Sequence, residues 1–248
     1  MSERLKKYKS YYPVEYDYVN QLPEGWSLLP NIAIFEERIE RGFENEELLS
    51  VTIGKGVIKQ TELTKKDSST LDKSKYLLVH PGDLVYSMRF RQGASGYSSY
   101  KGIVSPACTV LKPRRNIIIN QKFFHYLFRT EFYKNYVERF SYGIADGQIP
   151  LRYSDFKRMY SIVPPIEEQD KIVKYLDNRI YSVNKIMKLG QFLIGKTFKD
   201  AGLLQEYKHR LVTDAVTGII DVSHFSFANL KVDFPEEEFV EEDISNEE

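Results

Sequence analysis

Short apolar runs separated by glycine- and proline-containing turns fill the first two thirds of the chain. Runs rich in Val, Ile, Leu and Tyr predict strands at 48–53, 76–79, 84–88 and 107–111. Pro81-Gly82-Asp83 predicts a turn between two of them. A last strand is predicted near Tyr160–Val163, and Pro164-Pro165 closes this region, because a residue before proline is disfavoured in a helix.

Three stretches carry helical periodicity instead. Aromatic residues recur every four positions from Phe124 to Phe140, which predicts one amphipathic helix over about 120–141 with its aromatic stripe in the core. After Pro165, apolar residues recur in alternating steps of three and four, the heptad pattern of a coiled-coil seam. A further helix is predicted over about 203–216, with Gly218 as its stop.

The seam predicts a pairing surface, because a narrow apolar stripe on a charged helix must be covered. We expect it to mediate dimerisation, and the alternative is packing against the chain's own domain or its second helix. The predicted dimerisation residues are Ile166, Val173, Leu176, Ile180, Val183 and Met187.

These patterns together predict an α+β protein: a mixed, β-rich domain with a packed helix, followed by a long helical, coiled-coil segment for dimerisation or spacing. The predicted divisions are an N-terminal arm at 1–21, a domain at 22–165, the helical region at 166–221, and an acidic, disordered tail at 222–248.

The charge is distributed unevenly, although 35 basic and 35 acidic residues cancel over the 248 positions. Residues 232–248 hold nine acidic residues and no Lys or Arg, so the remainder carries 35 basic against 26 acidic residues, a charge of +9. Residues 51–115 hold twelve Lys and Arg against four acids. Such a region suits binding to a phosphate backbone, with an ordinary solvated surface as the alternative.

Chemistry-bearing clusters are not apparent in the sequence. The four histidines are scattered, and Cys108 has no sulfur partner, so we expect no metal site, no cofactor and no internal disulfide. No apolar run is long enough to span a membrane, and the N-terminus lacks the apolar core of a signal peptide. These features favour a cytoplasmic protein without a catalytic centre.

One segment, Gly190–Thr197, matches the phosphate-binding pattern G-x-x-x-x-G-K-[ST]. The pattern binds phosphate only where a strand precedes the loop and a helix follows it. Here it follows the heptad helix, which favours a helix break over a nucleotide site.

Several short motifs in a fixed order resemble the specificity subunits of Type I restriction–modification systems. They are Leu22-Pro-Glu-Gly-Trp26, His80-Pro-Gly-Asp83, Gly102-Ile-Val-Ser-Pro-Ala107, Val163-Pro-Pro-Ile-Glu-Glu-Gln169, Tyr175-Leu-Asp177, Glu206-Tyr207 and Leu211-Val-Thr-Asp-Ala-Val-Thr-Gly218. The resemblance extends over about residues 22–221. The proline-proline motif at this distance before Ala-Val-Thr-Gly is the most specific part.

The resemblance implies a non-catalytic subunit that recognises double-stranded DNA and binds methyltransferase subunits, which a restriction translocase subunit joins. Members of this family carry two target-recognition domains separated by helices that set the distance between half-sites. This chain has one such domain, which suggests a half-length form. Two copies would then pair and recognise an interrupted palindrome.

Candidate DNA contacts follow from residue chemistry, because Arg and Lys pair with guanine and Gln with adenine. The polar, glycine-containing segment 89–101 contributes Arg89, Arg91, Gln92, Tyr97 and Lys101, and a second segment contributes Gln148 and Arg152. Lys55, Lys59, Lys65 and Lys66 are candidate phosphate contacts, which position a protein rather than specify a sequence. For each group, an ordinary hydrophilic surface is the alternative.

Two other functions are compatible with the same sequence. The chain could be a methyltransferase-binding decoy or an orphan DNA-binding module that serves no restriction system. It could also be a nucleotide-binding enzyme built on Gly190–Thr197, which the helical context disfavours.

Overall fold

The computed structural model describes residues 6–16, 19–63, 72–140, 151–194 and 201–225. Strands within them are β1 Tyr11–Tyr16, β2 Val19–Pro23, β3 Ser27–Pro30, β4 Phe35–Glu37, β5 Leu49–Thr52, β6 Gly56–Lys59, β7 Leu77–Val79, β8 Leu84–Tyr86, β9 Ser95–Tyr97, β10 Gly102–Val104, β11 Thr109–Pro113 and β12 Tyr160–Val163. Helices are α1 Asn31–Ile34, α2 Gln121–Phe128, α3 Glu131–Glu138, α4 Tyr153–Phe156, α5 Ile166–Ile194 and α6 Ala201–Val216, with 3-10 turns at Gln60–Glu62 and Phe90–Gln92. The mixed α+β class is confirmed.

A four-stranded antiparallel sheet, in the order β4-β11-β8-β9, forms the centre of the strand-rich part. Its strands are buried on both faces. Leu84 and Tyr86 of β8 face the main core, whereas Val85 between them lies in a second, smaller core. This separation follows from the two-residue period of a strand. The sheet therefore has an apolar layer on each side, with the β5–β6 hairpin contributing Leu49 and Val57 to the smaller one.

Aromatic side chains dominate the main core, as the stripe along the predicted helix indicated. Phe124, Phe128 and Tyr136 are buried there, and Phe128 contacts the rings of Phe35 and Phe90. This part of the prediction is confirmed.

The predicted single helix over 120–141 is wrong, because the chain turns between α2 and α3. The hydroxyl of Thr130 accepts a hydrogen bond from the backbone N–H of Tyr133 at 3.1 Å and donates one to the carbonyl of Leu127 at 2.7 Å. The Thr130 hydroxyl thus provides a hydrogen-bond partner for a backbone carbonyl at the end of α2 and for a backbone N–H at the start of α3. The four-residue aromatic spacing continues across the turn, so periodicity alone did not reveal it.

The segment 1–21, predicted as an N-terminal arm, contains β1 and the beginning of β2. Strands β1 and β2 form an antiparallel hairpin, and Val19 and Leu22 are buried in the main core. The Tyr16 hydroxyl lies 2.6 Å from that of Tyr136 on α3. Tyrosines of this segment use their rings for packing and their hydroxyls for hydrogen bonds.

Helix α5 contains 29 residues and is about 40 Å long. It packs against α6 and against α2 of the strand-rich part. The predicted helix over 203–216 is confirmed as α6. No described helix is both long and apolar enough to cross a membrane.

Candidate nucleic-acid interface

The predicted DNA-contacting residues that the structure describes include two groups that lie in different places. The first group comprises Lys55, Arg89, Arg91 and Gln92, and we call it the Arg129 face after the residue that supports it. The second comprises Lys59 and Lys101 around Tyr100, and we call it the Tyr100 cluster. The predicted continuous segment 89–101 is therefore divided between two places by β9.

Arg129, which follows the last turn of α2, supports the first group through backbone carbonyls. Its Nη1 donates to the carbonyls of Gly93 at 3.3 Å and Ser95 at 2.9 Å. Its Nη2 donates to those of Ile53 at 2.8 Å and Gly54 at 2.6 Å. One guanidinium thus connects the β5–β6 turn to the segment before β9.

Lys55 is exposed in this β5–β6 turn, beside Arg129. Its backbone N–H donates to the Thr52 hydroxyl at 3.0 Å, which fixes the turn that carries this exposed lysine. Arg89 donates to the Gln92 side chain at 2.7 Å. Arg91 forms an ion pair with Glu138 of α3 at 2.6 Å, with both side chains nearly half exposed. These groups are accessible, and exposed ion pairs of this kind contribute little to stability.

Close backbone contact also holds the two segments together at Gly56 and Gly96. A Cβ built on Gly96 would lie 2.8 Å from the Gly56 Cα, so no larger residue fits there. His125 of α2 packs against Gly56, and its Nδ1 accepts the Tyr97 N–H at 3.2 Å. Burial, together with the charges of Arg129 and Lys122, lowers the pKa of His125 to about 3. A neutral ring is what this hydrogen bond requires.

Tyr97, predicted as a base contact, is half-buried at this position. Its ring packs against the main core, and the Lys122 ammonium lies 6.0 Å from the ring centre.

The Tyr100 cluster contains carboxylates as well as lysines. Lys59 pairs with Glu47 at 3.4 Å and lies 5.7 Å above the ring of Tyr100. Lys101 pairs with Glu46. These glutamates precede the stretch 51–115, so the count of its charges did not include them. The exposed positive charge here is lower than the sequence indicated.

The remaining predicted contacts lie elsewhere. Arg152 is exposed immediately before α4. Gln148, Lys65 and Lys66 lie outside the described residues.

The predicted dimerisation residues divide into two sets. Val173, Leu176 and Val183 are buried within the chain itself, at 6%, 0% and 6% exposure, whereas Ile166, Ile180 and Met187 are only partly buried. Packing against the chain's own helices and domain, which was the alternative, accounts for the first set. The large exposed apolar side chains on α5 and α6 are Tyr181, Ile186, Leu189, Leu203 and Tyr207.

The phosphate-binding pattern does not have the local structure that the chemistry needs. Its first five residues, 190–194, belong to helix α5, and Gly190 is buried within it. A helix in this position cannot present the loop amides that cradle a phosphate. The rest of the match, 195–197, lies outside the described residues.

Three of the motifs that carried the resemblance meet at one place, which we call the motif junction: Leu22–Trp26, Pro164–Gln169 and Ala215–Gly218. Trp26 donates its indole N–H to Glu168. Gln169 is buried, donates to the Pro164 carbonyl at 2.8 Å and accepts the Asn120 N–H at 2.9 Å. Both ends of the helical region are thereby fixed to the strand-rich part.

Gly218 completes the junction through its conformation. Its φ is +74°, and a Cβ there would lie 2.5 Å from Cγ of Pro23. The Tyr11 hydroxyl donates to the Gly218 carbonyl at 2.9 Å. Only glycine combines this backbone with this proximity.

Asp83 of the His80-Pro-Gly-Asp83 motif has a structural role as well. Its carboxylate is buried and accepts bonds from Arg38 at 2.8 and 3.2 Å and from the His80 N–H at 2.8 Å. The carboxylate thus joins Arg38 to the turn that begins at His80. Among the described residues, no group of three His, Cys, Asp or Glu could hold a metal ion.

Arg129 and His125 were not found from the sequence. Arg129 is a single arginine within the aromatic stretch 124–140, off the four-residue stripe, where a solvated position is the ordinary expectation. The four carbonyls that Arg129 binds belong to two segments distant in sequence, so the residues around Arg129 do not predict these contacts.

Residues 44–191 match the family model described as Type I restriction modification DNA specificity domain. The chain belongs to this family. The match covers the Arg129 face, the Tyr100 cluster and most of α5. No curated protein matches the sequence.

Solved structures offer weaker similarities. The HsdS subunit from Thermoanaerobacter tengcongensis shares 16% identity, over 84% of this chain and 48% of that one, with a TM-score of 0.45. The S subunit from M. genitalium shares 13%, over 73% and 45%, with a TM-score of 0.43. The chain spans about half the length of each of these structures. At such TM-scores they add no argument to the family match.

Proposed function

We infer that this chain recognises a specific DNA sequence and directs the methyltransferase and restriction subunits of a Type I restriction–modification system to it. The observation that carries this function is the match of residues 44–191 to the DNA specificity domain. The positively charged Arg129 face lies within that match. The function of the chain is binding, and the chemistry belongs to its partners.

The Arg129 face provides both kinds of contact that such recognition needs. Lys55 is exposed in a tight turn, as suits a phosphate contact. Further phosphate contacts proposed outside this face are Lys59 of the Tyr100 cluster and, from the sequence alone, Lys65 and Lys66. Arg91 and Gln92 have the donors and acceptors that pair with guanine and adenine edges in the major groove. On DNA binding, Arg91 would break its ion pair with Glu138 and form hydrogen bonds with a base edge instead.

Pairing of two copies is the second part of the proposal. Two copies joined through their helices would place two recognition domains on one DNA and recognise a bipartite, interrupted palindrome. The partly buried seam residues Ile166, Ile180 and Met187, together with exposed apolar side chains such as Tyr181 and Ile186, support this surface.

The decisive experiment is to co-express the full chain with the methyltransferase of its system and map methylated positions across the host genome. We expect a single motif with two halves related by symmetry. Gln92→Ala should relax one position of each half, whereas Lys55→Ala should lower methylation at all sites alike. Methyltransferase binding without any methylation motif would contradict DNA recognition and support the decoy function.

A further inference from the structure

Arg129 connects the two segments that carry the proposed DNA contacts. It binds Ile53 and Gly54 on one side, next to Lys55, and Gly93 and Ser95 on the other, next to the Arg89–Gln92 segment. The distance and angle between a phosphate-binding lysine and the base-contacting residues therefore depend on one guanidinium.

The chemistry of arginine is needed for this arrangement. The guanidinium is a planar fork that donates in two directions at once, whereas a lysine ammonium donates from a single point. Lysine at this position could keep the positive charge, but its three donors on one nitrogen could not bind all four carbonyls. The loss of one connection would leave the β5–β6 turn free to move relative to the Phe90–Gln92 turn.

We propose that Arg129 is a positioning residue for DNA recognition, which holds Lys55 and the Arg89–Gln92 segment in the fixed relation that lets both contact one duplex. This proposal rests on the proposed function. Arg129 acts through the backbone of the two segments, so its contribution is distinct from a direct phosphate contact by its own charge.

The first test measures the connection without DNA. Hydrogen exchange of the amides at 53–56 and 93–96 is compared between the wild-type chain, Arg129→Lys and the control Arg158→Lys. Arg158 is exposed after α4, and Arg158→Lys makes the same substitution at an arginine other than the one that binds these carbonyls. We expect exchange about tenfold faster in Arg129→Lys, since at least one of the four hydrogen bonds between Arg129 and these segments is lost. Unchanged exchange overturns the proposal.

The second test measures coupling in DNA binding. The probe is the duplex most enriched from a randomised pool by the wild-type chain, with a scrambled duplex as reference. Lys55→Ala should weaken binding about fivefold in the wild-type background and reduce the slope of log affinity against log salt by about one. In the Arg129→Lys background the same substitution should change affinity less than about twofold. An equal loss in both backgrounds overturns the positioning role, because a merely structural residue would not couple to Lys55.

A further variant keeps the proposal testable if Arg129→Lys does not fold. The double substitution Gly54→Lys with Lys55→Gly retains Arg129 and its carbonyl partners while moving the ammonium by one residue. Space around Gly54 is open, so the lysine fits. Affinity should fall to that of Lys55→Ala, and an unchanged affinity overturns the proposal.

The two proposals fail in different ways. A wild-type chain that enriches no sequence from the pool overturns the proposed function, and the positioning role with it, whatever the exchange data show. A wild-type chain that binds selectively but shows no coupling overturns the positioning role alone.

Discussion

The motif junction and the Arg129 face are held together by different kinds of contact. At the junction, groups meet in a confined space: Trp26 donates to Glu168, the buried Gln169 bonds the backbone of Pro164 and Asn120, and Gly218 lies against Pro23. At the Arg129 face, one arginine binds backbone carbonyls, and the exposed side chains make solvent-accessible pairs. The junction should therefore respond to changes of volume, and the face to changes of charge and protonation.

The largest effect should come from Leu176, which lies on the α5 side of the main core. It has no exposed surface and shares its cluster with Leu211 of α6. Leu176→Asp should lower the free energy of unfolding by more than about 4 kcal/mol, because it buries a charge without a partner. Chemical denaturation followed by circular dichroism measures this change.

Tyr181→Asp is the matched control, since this α5 residue is 68% exposed. Its stability should stay within about 0.5 kcal/mol of the wild type, while sedimentation reports whether two copies still pair. A folded Leu176→Asp of normal stability would contradict the packing of α5 on this core.

Gly218→Ala should produce the next largest effect, about 3 kcal/mol of destabilisation. The added Cβ meets Pro23 and requires an L-residue at positive φ. Gly202→Ala on α6 is the control, because its Cβ meets nothing within 4 Å and alanine favours a helix. In thermal unfolding, the transition temperature of Gly218→Ala should lie below that of the wild type and the transition temperature of Gly202→Ala above it. Equal transition temperatures for the two variants would refute the close packing at the junction.

The Arg129 face should lose stability as the pH falls, through His125. Its pKa in the folded chain is lowered to about 3 by burial and by two nearby cations, whereas an unfolded histidine has a pKa of about 6.5. Below about pH 6.5 the unfolded state therefore takes up a proton that the folded state resists, and stability decreases towards pH 3. Because the residue is partly exposed, we expect only about 1–2 kcal/mol between pH 7.5 and 5.

His125→Gln should remove most of this pH dependence, since the amide oxygen can still accept the Tyr97 N–H but does not titrate. His209→Gln, at an exposed position on α6, should leave the dependence unchanged. The measurement is the free energy of unfolding at several pH values. The same slope in wild type and His125→Gln would exclude this histidine as its source.

The smallest effect on stability should come from Glu138→Gln, within about 0.5 kcal/mol, because its pair with Arg91 is exposed. If Arg91 contacts DNA, removing its carboxylate partner should increase affinity about two- to fivefold, whereas Arg91→Ala should decrease it. Fluorescence anisotropy with a cognate duplex compares the two variants. A change in the same direction for both would argue against an exchange of partners.

The sequence predicted those features that depend on local pattern. Strands around Leu84–Tyr86 and Tyr160–Val163 follow from short apolar runs, and α6 follows from its periodicity. The turn at Thr130 was missed because the aromatic spacing continues through it. The acidic partners Glu46, Glu47 and Glu138 were missed because they lie outside the basic stretch in sequence and meet it only in the fold.

Arg129 also has a consequence for how recognition can change. Every residue type carries a carbonyl oxygen, so a surface fastened through carbonyls can exchange its side chains and keep its attachment. Residues 53–55 together with Arg89, Arg91 and Gln92 could then be varied in a library, or by natural drift, while the buried Phe90 and the scaffold beneath them stay the same. Within these segments a new target sequence would require new side chains but no new support.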